Sequence, residues 1–169
     1  MPTQQLNLLK MQIQTEMPVD LQIAVDPAPD VTTHNLDVAV SALRAVTGDD
    51  RLAGEVCLRI CDEHESRSLN SSYRNRNEAT NVLSFAADEA VRAEAGLLGD
   101  LAVCWPVLLH EAGAQGKAIG DHFTHLFVHG VLHLLGYEHD NNDDAARMEN
   151  LEVQTLAQLG ISNPYAPCQ

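Results

Sequence analysis

The chain has 169 residues, a length that predicts a single domain because domains commonly contain ~100–150 residues. Its composition, 45% apolar and 20% charged, is typical of a globular protein in water. The 24 acidic side chains outnumber the 10 basic ones, which gives a net charge of −14 with neutral histidines. This charge excludes a protein that is basic overall and binds nucleic acid or membrane surfaces for that reason, although a local basic site stays possible.

We predict an N-terminal extension at residues 1–18 and a single domain at residues 19–169. The first twenty residues contain no long apolar core, so we expect neither a signal peptide nor a membrane anchor. No later segment reaches the ~20 apolar residues that a bilayer requires. The four cysteines form no CxxC pair, a pattern typical of a protein in a reducing cytoplasm.

The predicted strands and helices follow one another without a regular βαβ order. Alternating or continuous apolar runs predict strands at residues 21–25, 55–61, 81–86 and 101–105. Helical spacing, caps and glycine stops predict helices at residues 35–46, 62–73, 120–136 and 143–159, and another that begins at Pro106. Residues 87–98 predict a loop or a short helix. These elements favour an α+β fold in which a small mixed four-stranded sheet packs with about five helices.

The helix predicted at residues 120–136 is the most informative segment of the sequence. At ~100° per residue, His122, His125, His129 and His133 share a stripe about 80° wide. Apolar residues occupy most of the remaining circumference, which is typical of a buried helix. Because buried polar groups are costly unless they are paired, the histidine stripe is predicted to face a cleft or an internal polar site.

Two of these histidines, together with a third that follows the helix, have the spacing of metal ligands. His129 and His133 are four residues apart, which puts their side chains on one helix face, and Gly136 ends the helix so that His139 can return as a third ligand. Three imidazoles leave one tetrahedral position open, as in catalytic zinc sites. A single histidine on an apolar helix is more often a core residue, and we interpret His122 and His125 as mainly structural or as supports of a ligand histidine.

The same spacing is found in zinc peptidases, whose HExxH helix carries a glutamate general base directly after the first histidine. Gly130 occupies that position here, so a peptidase is the less favoured interpretation. Glu138 or Asp140 can hydrogen-bond a ligand histidine and fix its tautomer. An equally good interpretation makes both of them exposed turn residues.

The stretch HGVLHLLGYEHD at residues 129–140 resembles the HGxLHLxGYDH signature of the bacterial YbeY family of rRNA-processing metallo-endoribonucleases. Further similar stretches agree in order and spacing from about residue 55 to residue 165, with an extension back to Val19. They are Leu69-Asn70, Tyr73-Arg74, Thr80–Phe85, Leu98–Leu101, Gln115–Lys117, Met148-Glu149, Leu159-Gly160 and Pro164-Tyr165.

This resemblance implies that His129, His133 and His139 bind one zinc ion on an active-site helix similar to that of zinc peptidases. It implies cleavage of single-stranded RNA, with roles in maturing the 3′ end of 16S rRNA and in ribosome quality control. The implied partners are single-stranded RNA, small-subunit rRNA, and ribosomal proteins or the small subunit itself. The family's functional arginine follows the tyrosine of an Asn-x-x-Tyr-Arg stretch, which corresponds to Arg74.

Two departures from the family pattern concern charged residues. Glu138 replaces the usual aspartate, and the family's Arg-x-Lys-Asp run is here Arg74-Asn75-Arg76-Asn77. The surrounding segment, residues 66–77, contains three arginines and no acid, so it is the clearest cationic segment of an acidic chain.

We expect the guanidinium of Arg74 to be catalytic, because its planar donors suit a phosphate. We further expect Arg67 and Arg76 to contact the RNA backbone and Tyr73 to stack on a base. Three functions are therefore compared. They are a metal-dependent endoribonuclease (a hydrolase of phosphodiester bonds), a zinc peptidase or other small hydrolase, and a non-catalytic ribosome-assembly factor with structural zinc.

Overall fold

A computed structural model describes residues 19–167, so the predicted extension at residues 1–18 and Cys168 lie outside the described residues. The strands are β1 (Val19–Ile23), β2 (Glu55–Cys61), β3 (Val82–Ala86) and β4 (Leu97–Cys104). The helices are α1 (Thr33–Thr47), α2 (Glu63–Arg74), α3 (Glu89–Ala95), α4 (Trp105–Gln115), α5 (Ile119–Leu134) and α6 (Asn142–Gln158), with a short 3₁₀ helix at Asp50–Ala53. Within residues 19–167, no helix is both long and apolar enough to cross a bilayer.

The four strands form one mixed sheet in the order β1-β2-β4-β3. β1, β2 and β4 run parallel, whereas β3 is antiparallel to β4 and lies at the edge. The predicted α+β class and the mixed four-stranded sheet are therefore confirmed. The helix beyond the predicted five is α3, in the segment that was predicted as a loop or a short helix.

The predicted start of β4 at residue 101 is wrong. The strand begins at Leu97, and Gly99 and Asp100 lie inside it although they interrupt the apolar run. Gly99 is in register with Val56 of β2, and Asp100 with Phe85 of β3. Backbone pairing on both sides therefore extends the strand through residues whose side chains do not favour it. Its predicted end was also one residue too late, because Trp105 begins α4.

Both faces of the sheet are covered, as is usual for parallel strands. Val56, Leu58 and Ile60 of β2 are fully buried in the main core, into which α1, α5 and α6 also pack their apolar side chains. A smaller cluster, formed by Cys61, Leu83, Ala102 and Cys104, lies on the other face and is covered in part by Leu69 of α2. The sheet therefore separates α2 from the histidine-bearing helix α5.

Gly130 lets α5 approach the sheet closely. A Cβ atom at this position would lie 2.9 Å from Cδ2 of Leu101 and 3.3 Å from Cγ2 of Val82. The hydroxyl of Ser84 donates a hydrogen bond to the Gly130 carbonyl at 3.2 Å. This contact places the histidine stripe of α5 directly beside the edge strand β3.

Because of this contact, Gly130→Ala is expected to lower the free energy of unfolding by about 1–3 kcal/mol, the usual cost of overpacking a closed interface. Chemical denaturation followed by circular dichroism measures the change. Gly113→Ala on α4 is the matched control, since a Cβ there meets nothing within 4 Å. The control is expected to be neutral or slightly stabilising. Equal stabilities of the two variants would contradict the proposed role of Gly130.

Candidate active site

The last turn of α5 and the loop after it bring three histidines together. Gly136 has φ +89°, a left-handed conformation that glycine adopts without strain, and its N–H bonds to the His133 carbonyl at 2.9 Å. The turn reverses the chain so that His139 returns to the helix end. Arg92 of α3 donates to the Leu134 carbonyl at 3.1 Å, which further fixes this end of the helix.

His129, His133 and His139, hereafter the histidine triad, each offer one nitrogen, and these three nitrogens lie within 4.8 Å of one another. The Nε2 atoms of His129 and His133 are 3.1 Å apart. His129 and His133 are half-buried, whereas His139 is exposed. The triad can therefore hold a metal ion that remains accessible from solvent.

Glu152 of α6 orients the first histidine of the triad. This carboxylate is fully buried, and its Oε1 lies 2.7 Å from Nδ1 of His129 while Oε2 lies 2.7 Å from Nε2 of His125. The Tyr165 hydroxyl donates a third hydrogen bond. Burial alone would raise the pKa of Glu152, but the hydrogen bonds from His125, His129 and Tyr165 outweigh it and lower the pKa to about 2. Glu152 is therefore an ionised acceptor at neutral pH.

This arrangement fixes the tautomer of His129. An ionised carboxylate only accepts hydrogen bonds, so Nδ1 of His129 carries the proton and Nε2 presents its lone pair to His133. Burial, followed by repulsion from any positive charge on neighbouring His129, lowers the pKa of His133 and favours its neutral form. Two ligands of a tetrahedral zinc, each at ~2.0–2.1 Å, lie ~3.3 Å apart, close to the 3.1 Å observed here. The donor set thus fits zinc.

Glu138 and Asp140 lie beside the triad, as the turn after α5 requires. Oε2 of Glu138 is 3.5 Å from Nδ1 of His133, and both acidic residues are exposed at the cleft. His122 has a different partner. Its Nε2 lies 2.8 Å from Oε2 of Glu111, whose two oxygens also accept hydrogen bonds from Asn81.

Sequence reasoning missed Glu152. The available signal was a charged residue on the apolar face of α6, since Glu152 shares that face with the buried residues Met148, Thr155 and Leu156. A buried charge on such a face requires a polar partner. No pattern in the sequence indicates which histidine that partner is.

The triad forms one wall of a cleft of about 860 Å³. Arg74 and Arg76 line the same cleft, together with residues of β3. Arg74 is exposed, and its Nη2 donates to the Ser84 carbonyl at 2.9 Å while its guanidinium carbon lies 5.8 Å from the centre of the Phe85 ring. The cleft therefore combines a site that can hold a metal with two cations.

The other predicted RNA contacts lie further out. Tyr73 is 66% exposed and packs edge-on against Phe85, with ring centres 5.1 Å apart. Among residues 19–167, Tyr73 does not itself line the cleft, and neither does Arg67, which is exposed on α2. The structure thus places Arg74 and Arg76 in the same cleft as the triad, and it leaves Tyr73 and Arg67 outside the lining of that cleft.

The contacts of Glu152 predict that its substitution weakens metal binding. The amide of Glu152→Gln can still accept a hydrogen bond from one histidine, but it no longer offers a charged acceptor to both His125 and His129. Zinc affinity is therefore expected to fall by about 10–100-fold. Competition with a chromophoric chelator measures the affinity. Glu149→Gln, an exposed neighbour on α6, is the control and is expected to bind zinc like the wild type. Equal affinities for the two variants would contradict the orienting role.

The fold and the site together define an α+β protein with a three-histidine centre that can hold a metal ion in an open cleft. The family model for Endoribonuclease YbeY matches residues 20–160. A protein of that name from Stenotrophomonas maltophilia (strain R551-3) is 45% identical over 160 residues, covering 90% of this chain and 98% of the relative. Another from Pseudomonas entomophila (strain L48) is 47% identical over 150 residues, covering 88% and 92%.

This chain belongs to the YbeY endoribonuclease family, and the predictions of that family and of an endoribonuclease enzyme are confirmed. A solution structure of a protein from Thermotoga maritima is also similar, with a TM-score of 0.55 and 16% identity. That similarity covers 89% of this chain and 97% of the other, and it supports the fold.

Proposed function

We propose that residues 19–169 form a zinc-dependent endoribonuclease domain that cuts single-stranded RNA during 3′ maturation of 16S rRNA and during ribosome quality control. The observation that carries this proposal is the shared cleft, which is lined both by the histidine triad and by Arg74 and Arg76. The chain's membership in an endoribonuclease family supports RNA as the substrate. The family resemblance supports the ribosomal assignment.

We assign one zinc ion to His129, His133 and His139. Neutral imidazole nitrogen is a preferred zinc ligand, and three such ligands leave a position open for catalysis. When bound, zinc would lower the pKa of a water molecule toward ~7 and would polarise a phosphate oxygen. His125 supports His129 through their shared partner Glu152, and Glu138 lies near His133. Asp140 supplies a further carboxylate at the exposed end of the triad.

Arg74 is the catalytic residue outside the triad in this proposal. Its Nη2 donates a hydrogen bond to the Ser84 carbonyl, and the guanidinium lies over the Phe85 ring. A guanidinium carries five donors, so donors remain for the non-bridging oxygens of the phosphate that is cut. The expected effect is stabilisation of the charge that develops on these oxygens.

Contacts outside the reacting phosphate give the preference for single strands. Arg76 binds a neighbouring phosphate in the cleft, and Arg67, further along α2, meets the strand beyond it. Tyr73 exposes two-thirds of its surface beside Phe85 and offers a stacking face. Stacking on a protein side chain requires an unstacked base, which duplex RNA does not present.

The cellular setting follows from the same proposal. Small-subunit rRNA is the substrate, with ribosomal proteins or the small subunit as partners that deliver it, because an acidic surface repels most RNA. We place the protein in the cytoplasm. The described cysteines, Cys57, Cys61 and Cys104, are free thiols, which agrees with a reducing compartment.

The test uses three substrates and two metal states. Zinc-loaded and chelated protein are incubated with single-stranded RNA, duplex RNA and casein, and the products are separated on gels. We expect cleavage of single-stranded RNA by the loaded protein alone. Casein digestion with intact RNA would favour the zinc peptidase, and binding of RNA without cleavage would favour the assembly factor. RNA cleavage that persists after chelation would contradict the zinc-dependent mechanism.

A further inference from the structure

A second cavity, of about 350 Å³, adjoins the cleft at the histidine triad. The two spaces share Asn81 and His129. His133 and His139 line the main cleft, whereas the second cavity follows α5 in the opposite direction, to His125 and His122. A strand that crosses His129 can therefore extend in both directions from the triad.

Lys117 lines this second cavity and provides a positive charge there. It is the only lysine among residues 19–167, and the ion pairs within that range do not include it. Arg44, Arg51 and Arg59, in contrast, are each paired with a carboxylate. The acidic group in the same cavity, Glu111, already accepts hydrogen bonds from both Asn81 and His122. The ammonium of Lys117 is thus available to an external anion.

Tyr165 supplies an aromatic surface at the same cavity. Its hydroxyl is tied to buried Glu152, and its ring packs edge-on against His125 with ring centres 5.5 Å apart. The side chain remains 44% exposed. The ring is therefore held in place while part of its surface faces solvent, which suits contact with a flat base.

Each side of the triad has at least one basic side chain and an exposed tyrosine. One side has the cations Arg74 and Arg76 with exposed Tyr73 nearby, and the other has Lys117 with exposed Tyr165. Cations that follow the phosphates, alternating with aromatic rings that meet bases, are the general means of holding a single strand. In a chain of net charge −14, two such sets on either side of one triad suit a single nucleic acid strand that crosses it.

We propose that the cavity between Lys117 and Tyr165 is a second RNA subsite, which binds nucleotides on the far side of the cut phosphate from Arg74. Lys117 contacts a backbone phosphate and Tyr165 contacts a base of the same strand. This inference rests on the proposed function. Its consequence is that the strand is held on both sides of the reacting phosphate, so the enzyme cuts within a strand and requires nucleotides in both directions.

Lys117→Gln and Lys117→Glu test the phosphate contact in the full-length, zinc-loaded protein. The probe is a fluorescent, uncleavable 2′-O-methyl oligonucleotide of roughly 12 nucleotides, a length that covers both sides. Anisotropy is measured over a range of salt concentrations. We expect Lys117→Gln to weaken binding about fivefold and to reduce the salt slope by ~0.7, the value for one phosphate of a single strand. Lys117→Glu weakens binding further, whereas Lys117→Arg keeps wild-type affinity.

Arg147→Gln is the matched control, because it removes one exposed cation of α6 that lines neither cavity. Tyr165→Phe and Tyr165→Leu separate the ring from the hydroxyl: both lose the bond to Glu152, so weaker RNA binding by Tyr165→Leu alone reports the ring. If Lys117→Gln matches Arg147→Gln while the wild type cuts RNA, the subsite is wrong and the proposed function stands. If the wild type neither binds nor cuts RNA, both are wrong.

Discussion

The His133→Ala variant is expected to lose stoichiometric zinc binding and to cut single-stranded RNA no faster than chelated wild-type protein. His133 supplies the Nε2 atom that faces His129 at 3.1 Å, so its removal leaves two donors of a triad. The loss of affinity should exceed the ~100-fold that removal of a supporting hydrogen bond can cost, because a direct ligand is removed. Metal content after gel filtration and the cleavage rate measure the two effects.

His110→Ala is the appropriate control for this variant. His110 is exposed on α4 and lines neither the main cleft nor the second cavity among the described residues. The control should keep wild-type zinc content and activity. Zinc retention and normal cleavage by His133→Ala would show that the triad is not the catalytic metal centre.

The Arg74→Ala variant is expected to keep its zinc and to cut RNA about 10²–10³-fold more slowly. This magnitude is typical of removing one preorganised donor that stabilises developing charge. Among the described residues, Arg74 hydrogen-bonds to the backbone of β3 and is not one of the three metal donors, so metal binding should be unaffected. Arg74→Lys should recover only part of the rate, because an ammonium lacks the two-pronged geometry of a guanidinium. Single-turnover cleavage rates and zinc content are measured together.

Arg147→Ala provides the control for a lost surface cation, and it should cut RNA at the wild-type rate. A second outcome must be distinguished for Arg74→Ala, since its bond to the Ser84 carbonyl also has a structural effect. If zinc content or the melting temperature falls in parallel with activity, Arg74 stabilises the edge strand and does not act on the phosphate.

Much of the fold could be predicted because local sequence and tertiary packing agree. In β2, Val56, Leu58 and Ile60 alternate with more polar residues, and they are the side chains that enter the main core. β4 was harder, because its first half contains Gly99 and Asp100, which are held in the strand by pairing with neighbours far away in sequence. Propensity cannot report such pairing.

The candidate site shows the same division. The triad was predictable because a helical repeat and one turn bring its members together within residues 129–139. Glu152 reaches His129 from 23 residues further along the chain, and only the packing of α6 on α5 makes that contact. Asn81 and Glu111, the second of which is the partner of His122, are likewise joined across 30 residues. Contacts of this kind leave no periodic pattern in a single sequence.

The short span of the triad has a consequence for the order in which the protein matures. A metal ion bound by residues 129–139 closes a small loop, so it restricts the unfolded chain far less than a link between distant segments would. The main hydrophobic core, in contrast, joins β1, β2 and β4 to α1, α5 and α6, and among the described residues it includes no member of the triad. On the proposed function, the chain can therefore reach its native fold first and acquire its metal afterwards.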